Sequence, residues 1–348
     1  MDNTSHKIFV SNTAKEISLD DQSVQLVVTS PPYPMIEMWD EQMSSQNKSI
    51  GKSLKSMQGK LAFESMHEVL DRAWKEVERV LIPGGTACIN IGDAARSFGG
   101  EFALYSNHSR IITSFLKLGF VNLPNIIWRK QTNAPNKFMG SGMLPAGAYM
   151  TLEHEYILIF RKAGKRKFTS AAEKKHRRES AYFWEERNCW FSDLWDLKGT
   201  RQDLGIKDIR PRSAAFPFEI PCRLINMFSV KGDLVLDPFM GTGTSLIAAM
   251  ASERSSIGVE IDEKLASEAS SRLASLNLAS LNKRMLERLE RHRRFVKEAK
   301  AKGRDFKHFN NNLGMEVFTG QERDILFGSL IELSREGKWG FICRYQPV

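Results

Sequence analysis

The chain contains 348 residues, 42% of them hydrophobic, and carries a formal net charge of +9. This length predicts either one large domain with insertions or two domains. No apolar run reaches the roughly 18 residues that cross a bilayer, and the first residues lack a signal-peptide pattern, so we expect a cytoplasmic protein without a membrane partner. The four cysteines form no C-x-x-C pair, which argues against a zinc site and against a disulfide framework.

The first half of the chain alternates between strand and helix patterns. An apolar run at 23–29 predicts a buried strand that ends at Ser30, and the polar stretch 41–60 predicts a mobile loop. Residues 63–81 carry apolar side chains at helical spacing. Further elements are expected as a helix at 109–118 and as strands at 86–91, 126–129 and 155–161.

The second half interrupts this alternation and then resumes it. Residues 165–212 are basic, rich in Trp and Arg and without periodicity, so we interpret them as an inserted module. A helical pattern covers 263–300, and residues 303–348 show no clear periodicity. The alternation itself returns with a strand at 233–236, a helix at 245–251 and a strand at 256–260. This order predicts a doubly wound, mostly parallel α/β sheet with an insertion and a helical C-terminal extension.

Basic residues are concentrated in two stretches. Residues 161–212 hold 15 Lys and Arg against 8 Asp and Glu, and residues 283–307 hold 11 against 4. Such an uneven distribution is typical of proteins that contact a polyanion, and a solvated basic surface is the alternative. Two such stretches in one chain favour nucleic acid.

A glycine-rich turn follows the predicted strand at 233–236. The chain runs Asp237-Pro238-Phe239-Met240-Gly241-Thr242-Gly243-Thr244 into an apolar helix, and Glu260 ends the next strand. In an adenosine-binding α/β turn, glycines let the backbone approach the ligand and the acidic residue accepts from ribose hydroxyls. The turn lacks the Lys of a P-loop, and Leu246 replaces the third Gly of a dinucleotide fingerprint. S-adenosylmethionine, an adenosyl cofactor without phosphates, therefore fits best, and an ordinary strand-to-helix turn is the alternative.

The strand at 23–29 runs into the stiff corner Thr29-Ser30-Pro31-Pro32-Tyr33. Ser-Pro-Pro-Tyr together with Asp-Pro-Phe-x-Gly-x-Gly-Thr resembles the S-adenosylmethionine-dependent DNA methyltransferases that modify exocyclic amino groups. Because the Ser-Pro-Pro-Tyr motif comes first, the order resembles the circularly permuted beta group, over roughly residues 7–265. The resemblance implies a Rossmann-like methyltransferase fold, S-adenosylmethionine as cofactor, and duplex DNA of the nucleoid as substrate, with the target base flipped out of the helix.

The resemblance also assigns roles to individual residues. An exocyclic amine is a poor nucleophile, and the Ser30 hydroxyl and the Pro31 carbonyl would accept its two N–H groups and free its lone pair. Pro31 and Pro32 would hold this geometry because proline locks φ near about −65°, and Tyr33 would stack on the flipped base. No metal is required. The implied cofactor-binding residues are Asp237, Pro238, Phe239, Gly241, Thr242, Gly243, Thr244, Glu260, Asp262, Phe216 and Pro217.

Relatives with Ser at the first position of the motif mostly methylate cytosine N4, whereas relatives with Asp mostly methylate adenine N6. Ser30 therefore predicts cytosine N4, and adenine N6 is the alternative. Pro221-Cys222 matches the nucleophile pair of cytosine C5 methylators, but its order relative to the turn is wrong, so we interpret Cys222 as a helix residue. A DNA-binding relative without catalysis, and RNA or protein methylation, are disfavoured by the intact motif and by the motif order. Ser11-Asn12 stands where many relatives have Gly-Asp. The resemblance therefore does not assign a contact with the adenine of the cofactor to these two residues.

The basic module predicts DNA contacts. Lys and Arg bind phosphates and base edges, so residues 165–212 are expected to recognise the target sequence. The predicted contacts are Lys174, Lys175, Arg177, Arg178 and Arg201. The chain then divides into a catalytic part (1–164), this recognition region (165–212), a cofactor-binding part (213–265), and a basic helical extension and tail (266–348). The helix near 278–300 either clamps DNA or exposes a solvated face, and a homodimer and a cognate restriction endonuclease are the expected protein partners.

Overall fold

The computed structural model describes residues 3–130, 139–198 and 216–348. The strands are β1 (Thr4–Val10), β2 (Val24–Thr29), β3 (Leu81–Ile91), β4 (Ala94–Phe98), β5 (Glu101–Tyr105), β6 (Phe120–Asn122), β7 (Ile126–Lys130), β8 (Met139–Gly140), β9 (Ala148–Tyr149), β10 (His154–Lys162), β11 (Leu194–Leu197), β12 (Leu234–Asp237), β13 (Ser255–Glu260), β14 (His308–Asn310), β15 (Met315–Val317), β16 (Gly328–Glu336) and β17 (Gly340–Pro347). The helices are α1 (Asp40–Gln46), α2 (Lys48–Lys55), α3 (Gly59–Val80), α4 (Asn107–Lys117), α5 (Ala171–Glu179), α6 (Trp184–Trp190), α7 (Glu219–Phe228), α8 (Thr244–Met250), α9 (Glu263–Ala274) and α10 (Leu278–Ala301).

One large sheet organises the chain. Its strand order is β11-β7-β10-β3-β2-β12-β13-β1-β17-β16, and β6 pairs with β10. The central strands β3, β2, β12, β13 and β1 are parallel to one another, whereas β10 and β17, which flank them, run antiparallel to the strands beside them. The structure therefore confirms the predicted α/β fold with a mostly parallel sheet. The parallel strands end together at what we call the carboxyl edge, and they begin together at the amino edge.

Helices cover both faces of the sheet, and β2 shows how the sequence encodes this. Val24 and Val27 pack in the core that contains Trp74 of α3, and Leu26 packs in the core that contains Leu224 of α7. A strand that is covered on both faces needs apolar side chains at successive positions. This is why residues 24–28 read as a nearly continuous apolar run.

The prediction of a mobile loop at 41–60 is wrong. Helices α1 and α2 occupy most of this stretch, and the side chain of Asn47 caps α2 by accepting from the Ser49 amide. Met43 and Ile50 are buried in the core against α3. The two short helices each place only a few apolar side chains inward, so the stretch looks polar as a whole.

The C-terminal residues are also more regular than their sequence indicates. β17 pairs with β1, and β16 pairs with β17, so the tail extends the central sheet by two antiparallel strands. The helical pattern at 263–300 is two helices, because the side chain of Asn277 begins α10 by accepting from the Ala279 and Ser280 amides. β11, inside the module at 165–212, joins the same sheet by pairing in parallel with β7. No helix among the described residues is long and apolar enough to cross a membrane.

Candidate active site

The Ser-Pro-Pro-Tyr corner and the glycine-rich turn meet at the carboxyl edge. β2 and β12 are parallel neighbours, so Ser30 follows the end of one strand where Asp237 ends the other. The Thr29 hydroxyl donates to Oδ1 of Asp237 at 2.5 Å and joins the two motifs directly. Ser30, Pro31 and Pro32 line the same pocket as Gly241, Thr242 and Thr244. Strand order thus brings together motifs that lie about 200 residues apart in the chain.

Glu260 holds the glycine-rich turn from the end of β13. Its Oε2 accepts from the Gly241 amide at 2.9 Å, and its Oε1 accepts from the Asp262 amide at 3.0 Å. Burial raises the pKa of Glu260. Each carboxylate oxygen keeps a further lone pair that can accept a hydroxyl proton. Gly241 adopts a φ of 55° and Gly243 a φ of 78°, a left-handed conformation that favours glycine. The backbone conformation of the turn therefore explains why glycine occupies both positions.

Asp237 is the most buried carboxylate of the pocket, with 3% of its surface exposed. It accepts from the hydroxyls of Thr29 and Ser245, at 2.5 Å and 2.6 Å, and from the Phe239 amide at 3.1 Å. Burial raises its pKa to about 6, and the three hydrogen bonds act in the opposite direction. A carboxylate that is held this firmly can place negative potential at the pocket without moving.

The lining of the pocket fits S-adenosylmethionine. Asp237, Glu260 and Asp262 contribute carboxylates, and no Lys or Arg lines the pocket among the described residues. This charge suits a ligand that carries a sulfonium and an ammonium group, and it disfavours one that carries phosphates. Phe239 and Leu265 add apolar surface of the kind that an adenine ring contacts.

The other predicted cofactor residues lie close to this pocket. Phe216 and Pro238 line it, and Phe216 is 6% exposed. Gly243 does not line it but is the N-cap residue just before α8, where an added Cβ would approach the Leu273 side chain to 3.0 Å. Pro217 precedes α7 and its carbonyl accepts from the Ile220 amide. These residues therefore shape the turn and the neighbouring helix as well as the pocket wall.

Tyr33 lies behind Ser30 and is 8% exposed. The Ser30 hydroxyl donates to the Tyr33 hydroxyl at 3.1 Å, and the Tyr33 hydroxyl donates to Oε2 of Glu155 at 2.8 Å. The Nδ2 of Asn90 contacts both the Tyr33 hydroxyl and Oε2 of Glu155, at 2.7 Å each. The structure thus shows the tyrosine as a hydrogen-bonded support of Ser30, and stacking on a base stays a prediction.

Several residues of the site escaped the sequence analysis. The Thr13 hydroxyl donates to the Pro238 carbonyl at 2.6 Å, and Nη1 of Arg272 donates to the Thr242 carbonyl at 3.0 Å. Asn12 lines the pocket and donates to Gln46 of α1 at 3.1 Å, so the departure from Gly-Asp ties the N-terminal segment to α1. A sequence signal existed for Glu155 alone, because it is a charged residue at the start of an otherwise apolar strand.

The basic residues of α5 lie far from this pocket. Arg166 pairs with Asp233, and His176 contacts the Lys231 carbonyl at 2.7 Å, which fixes α5 against the start of β12 at the amino edge. Ser30 lies at the opposite, carboxyl edge. The structure therefore does not bring the predicted DNA contacts of α5, which are Lys174, Lys175, Arg177 and Arg178, together with Ser30. The predicted contact Arg201 lies outside the described residues.

Cys222 lies on α7, as predicted for a helix residue. Burial raises the pKa of its thiol to about 11. A nucleophilic cysteine needs a lowered pKa, because the thiolate is the reactive form. Cys222 also does not line the pocket that Ser30 and Gly241 share.

A doubly wound sheet, a glycine-rich turn held by a buried glutamate, and an acidic pocket beside the Ser-Pro-Pro-Tyr corner are the features of a methyltransferase that uses S-adenosylmethionine. The chain belongs to the DNA methylase family, whose sequence profile matches residues 24–271. That match covers both motifs and the strands between them. The predicted family and the predicted cofactor are thereby confirmed.

Individual relatives agree with this assignment. The Type II methyltransferase M.MthZI of Methanothermobacter thermautotrophicus is 51% identical over 324 residues, which cover 92% of this chain and 90% of that protein. The Type II methyltransferase M.MjaI of Methanocaldococcus jannaschii is 51% identical over 273 residues, which cover 75% of this chain and 89% of that protein.

Solved structures share the fold. A DNA modification methylase from Thermus thermophilus, in complex with S-adenosyl-L-methionine, superposes with a TM-score of 0.59 at 35% identity and covers 77% of this chain and 94% of its own. The cytosine-N4-specific PvuII DNA methyltransferase superposes with a TM-score of 0.50 at 17% identity and covers 79% and 89% of the two chains. At that identity the second likeness concerns the fold alone.

Proposed function

We propose that this DNA methyltransferase is a site-specific, Type II enzyme that methylates the exocyclic N4 amine of cytosine in duplex DNA. The observation that carries the proposal is the position of Ser30, a neutral hydroxyl that lines the cofactor pocket and donates its own proton to Tyr33. Its lone pairs are then available to an N–H group. Ser in place of Asp supports cytosine over adenine through the family resemblance, and the Type II relatives support site specificity.

The residues of the corner can make the amine reactive. The lone pair of an exocyclic amine is delocalised into the base, and acceptors aimed at both N–H groups favour a tetrahedral nitrogen with a free lone pair. Ser30 Oγ and the Pro31 carbonyl supply two acceptors on adjacent residues, and the prolines hold their angle before the base arrives. The bound cofactor supplies an electrophilic methyl group. Holding the amine beside that group is the main task of the protein, because proximity dominates such a transfer.

We propose that DNA lies across the carboxyl edge, where the pocket opens. β10 runs antiparallel to β3 and β7 and therefore begins at this edge, so the described segment that precedes it is positioned to meet the duplex. In the segment 139–153, Met143 and Met150 are 86% and 85% exposed, and the Tyr149 ring stacks on Phe102 of β5 at 4.4 Å. Exposed apolar and aromatic side chains beside a base-flipping pocket can support unstacked bases.

The partners of the enzyme stay predictions. A cognate restriction endonuclease is expected because the curated relatives are Type II methyltransferases. A homodimer remains an expectation that rests on the apolar side chains of α10, several of which the structure buries within the chain, among them Leu281, Met285 and Leu289. The remaining apolar surface of α10 is small, with Leu286 at 54% exposure.

The test is identification of the modified base. The enzyme is incubated with labelled S-adenosylmethionine and a library of DNA sites, and the DNA is digested and analysed by mass spectrometry. We expect N4-methylcytosine in one short sequence, and we expect Ser30→Ala to transfer the methyl group much more slowly while it retains cofactor binding. Ser109→Ala, an exposed serine of α4, is the matched control. N6-methyladenine would refute the assigned base and leave the enzyme class intact, whereas full activity of Ser30→Ala would refute the role of the corner.

A further inference from the structure

Glu155 is a buried carboxylate at the start of β10 whose role the proposed reaction has not used. It is 8% exposed, and it lies at the carboxyl edge behind the Ser-Pro-Pro-Tyr corner. Its Oε2 accepts from the Tyr33 hydroxyl at 2.8 Å and from Nδ2 of Asn90 at 2.7 Å, and its Oε1 pairs with the Lys130 ammonium. A buried carboxylate is costly unless it is paired and hydrogen-bonded, so these contacts explain how it is retained.

The hydrogen-bond directions in this cluster follow from the carboxylate. Asn90 points its NH₂ group at Glu155, because its carbonyl oxygen would otherwise face another acceptor. The same NH₂ group donates to the Tyr33 oxygen at 2.7 Å. The single Tyr33 proton is then directed to Glu155, which leaves the Tyr33 oxygen as an acceptor towards Ser30.

The direction of the last hydrogen bond determines what Ser30 presents to the pocket. A serine hydroxyl has one proton and two lone pairs. Because the proton of Ser30 is directed to Tyr33, its oxygen faces the pocket with lone pairs only. Burial, followed by the Glu155 charge, raises the pKa of Tyr33 well above its ordinary value, so the tyrosine keeps its proton at neutral pH.

We propose that Glu155 is a positioning residue that, through Tyr33, fixes Ser30 as a hydrogen-bond acceptor for the substrate amine. This inference rests on the proposed transfer to an amine at Ser30. Without the carboxylate, the Ser30 hydroxyl could direct its proton towards the amine N–H. Two hydrogen-bond donors would then face each other, and the amine would not be held in its reactive geometry. Loss of this positioning should disturb the reactive arrangement of the amine more than the binding of the cofactor. We therefore expect it to lower kcat.

The variant Glu155→Gln tests this direction with little change of shape. If its amide oxygen faces Tyr33 and Asn90, its NH₂ group opposes the Lys130 ammonium. If its NH₂ group faces Tyr33 and Asn90, two donors meet there instead. We expect kcat to fall by about tenfold or more, with the Kd for S-adenosylmethionine and DNA within about twofold of wild type. The double variant Lys130→Met/Glu155→Gln should recover part of kcat, because the amide oxygen can then face Tyr33.

A double-mutant cycle with Ser30→Ala separates positioning from a structural role. If Glu155 acts through Ser30, the double variant Ser30→Ala/Glu155→Gln should have a kcat less than about threefold below that of Ser30→Ala alone, measured in single turnovers. Two results would overturn the inference, provided that Ser30→Ala itself is defective. One is that Glu155→Gln lowers kcat by the same factor in the wild-type and Ser30→Ala backgrounds, and the other is that it leaves kcat unchanged. Full activity of Ser30→Ala would instead refute the proposed function itself.

Tyr33→Phe keeps the inference testable if Glu155→Gln does not fold. Phe preserves the ring in its packed position and removes the acceptor for the Ser30 proton. We expect the same order of loss in kcat, again with little further loss in the Ser30→Ala background. A Tyr33→Phe enzyme with wild-type kcat would overturn the inference, because the connection from Glu155 to Ser30 passes through that hydroxyl.

Discussion

Asp237 holds the two motifs together at a cost that depends on pH. Its pKa rises from 3.8 to about 6 through burial. A carboxyl group whose pKa is higher in the folded than in the unfolded state stabilises the fold while it is protonated. This contribution is complete at a pH below the pKa of the unfolded state and is lost as the pH rises through the pKa of the folded state. At about 1.4 kcal/mol for each pKa unit, the ionised carboxylate costs the folded state between about 1 and 2 kcal/mol at pH 5 and about 3 kcal/mol at pH 8.

The substitution Asp237→Asn removes this charge at every pH. The amide oxygen can still accept from the Thr29 hydroxyl and the Phe239 amide, and Ser245 can rotate to accept from the new NH₂ group. The stability of the variant relative to wild type should therefore increase by roughly 1 kcal/mol between pH 5 and pH 8. In the same variant we expect the Kd for S-adenosylmethionine to rise about tenfold or more, because the pocket loses a negative charge near a cationic ligand.

Urea unfolding at pH 5 and pH 8, without cofactor, measures the stability difference, and titration calorimetry measures cofactor binding. Asp20→Asn is the control, because Asp20 is exposed and its carboxylate stays in water. A stability difference that is identical at the two pH values would refute the reasoning, since it would mean that Asp237 does not change protonation in this range. Unchanged cofactor affinity would refute the electrostatic role of Asp237 in the pocket.

Two further predictions concern the turn and α5. Arg272→Met removes the hydrogen bonds that hold Thr242 and should raise the Kd for S-adenosylmethionine about tenfold, at about 0.5–1.5 kcal/mol for each bond; Lys264→Met on the same helix is the control, and equal affinities in the two variants would contradict the role. Lys174→Glu with Arg177→Glu should leave methylation of a duplex of about 20 base pairs unchanged and weaken binding of long DNA, because α5 at the amino edge can meet only DNA beyond the target site. A loss of methylation on the short duplex would place α5 in the recognition interface after all.

The two motifs could be read from the sequence because their signals are local. Pro31 and Pro32 constrain their own backbone, and Gly241 and Gly243 supply left-handed angles within a single turn. Glu260 follows Gly241 by 19 residues, which is the length of one helix and one strand, and so its position is set by a single structural unit. The prediction of a loop at 41–60 was wrong for the opposite reason. Met43 and Ile50 mark buried helix faces only once α3 is present to cover them.

The amino-acid sequence by itself determined the class of sheet, the cofactor turn and the stiff corner, since each depends on neighbours along the chain. Only the tertiary structure decided that Glu155 lies behind Tyr33 and that α5 lies at the amino edge, away from Ser30. The physical reason is that strand order and strand direction set these distances. Contacts between residues more than 100 positions apart, such as Tyr33 with Glu155 and Thr29 with Asp237, leave no periodic trace in the sequence.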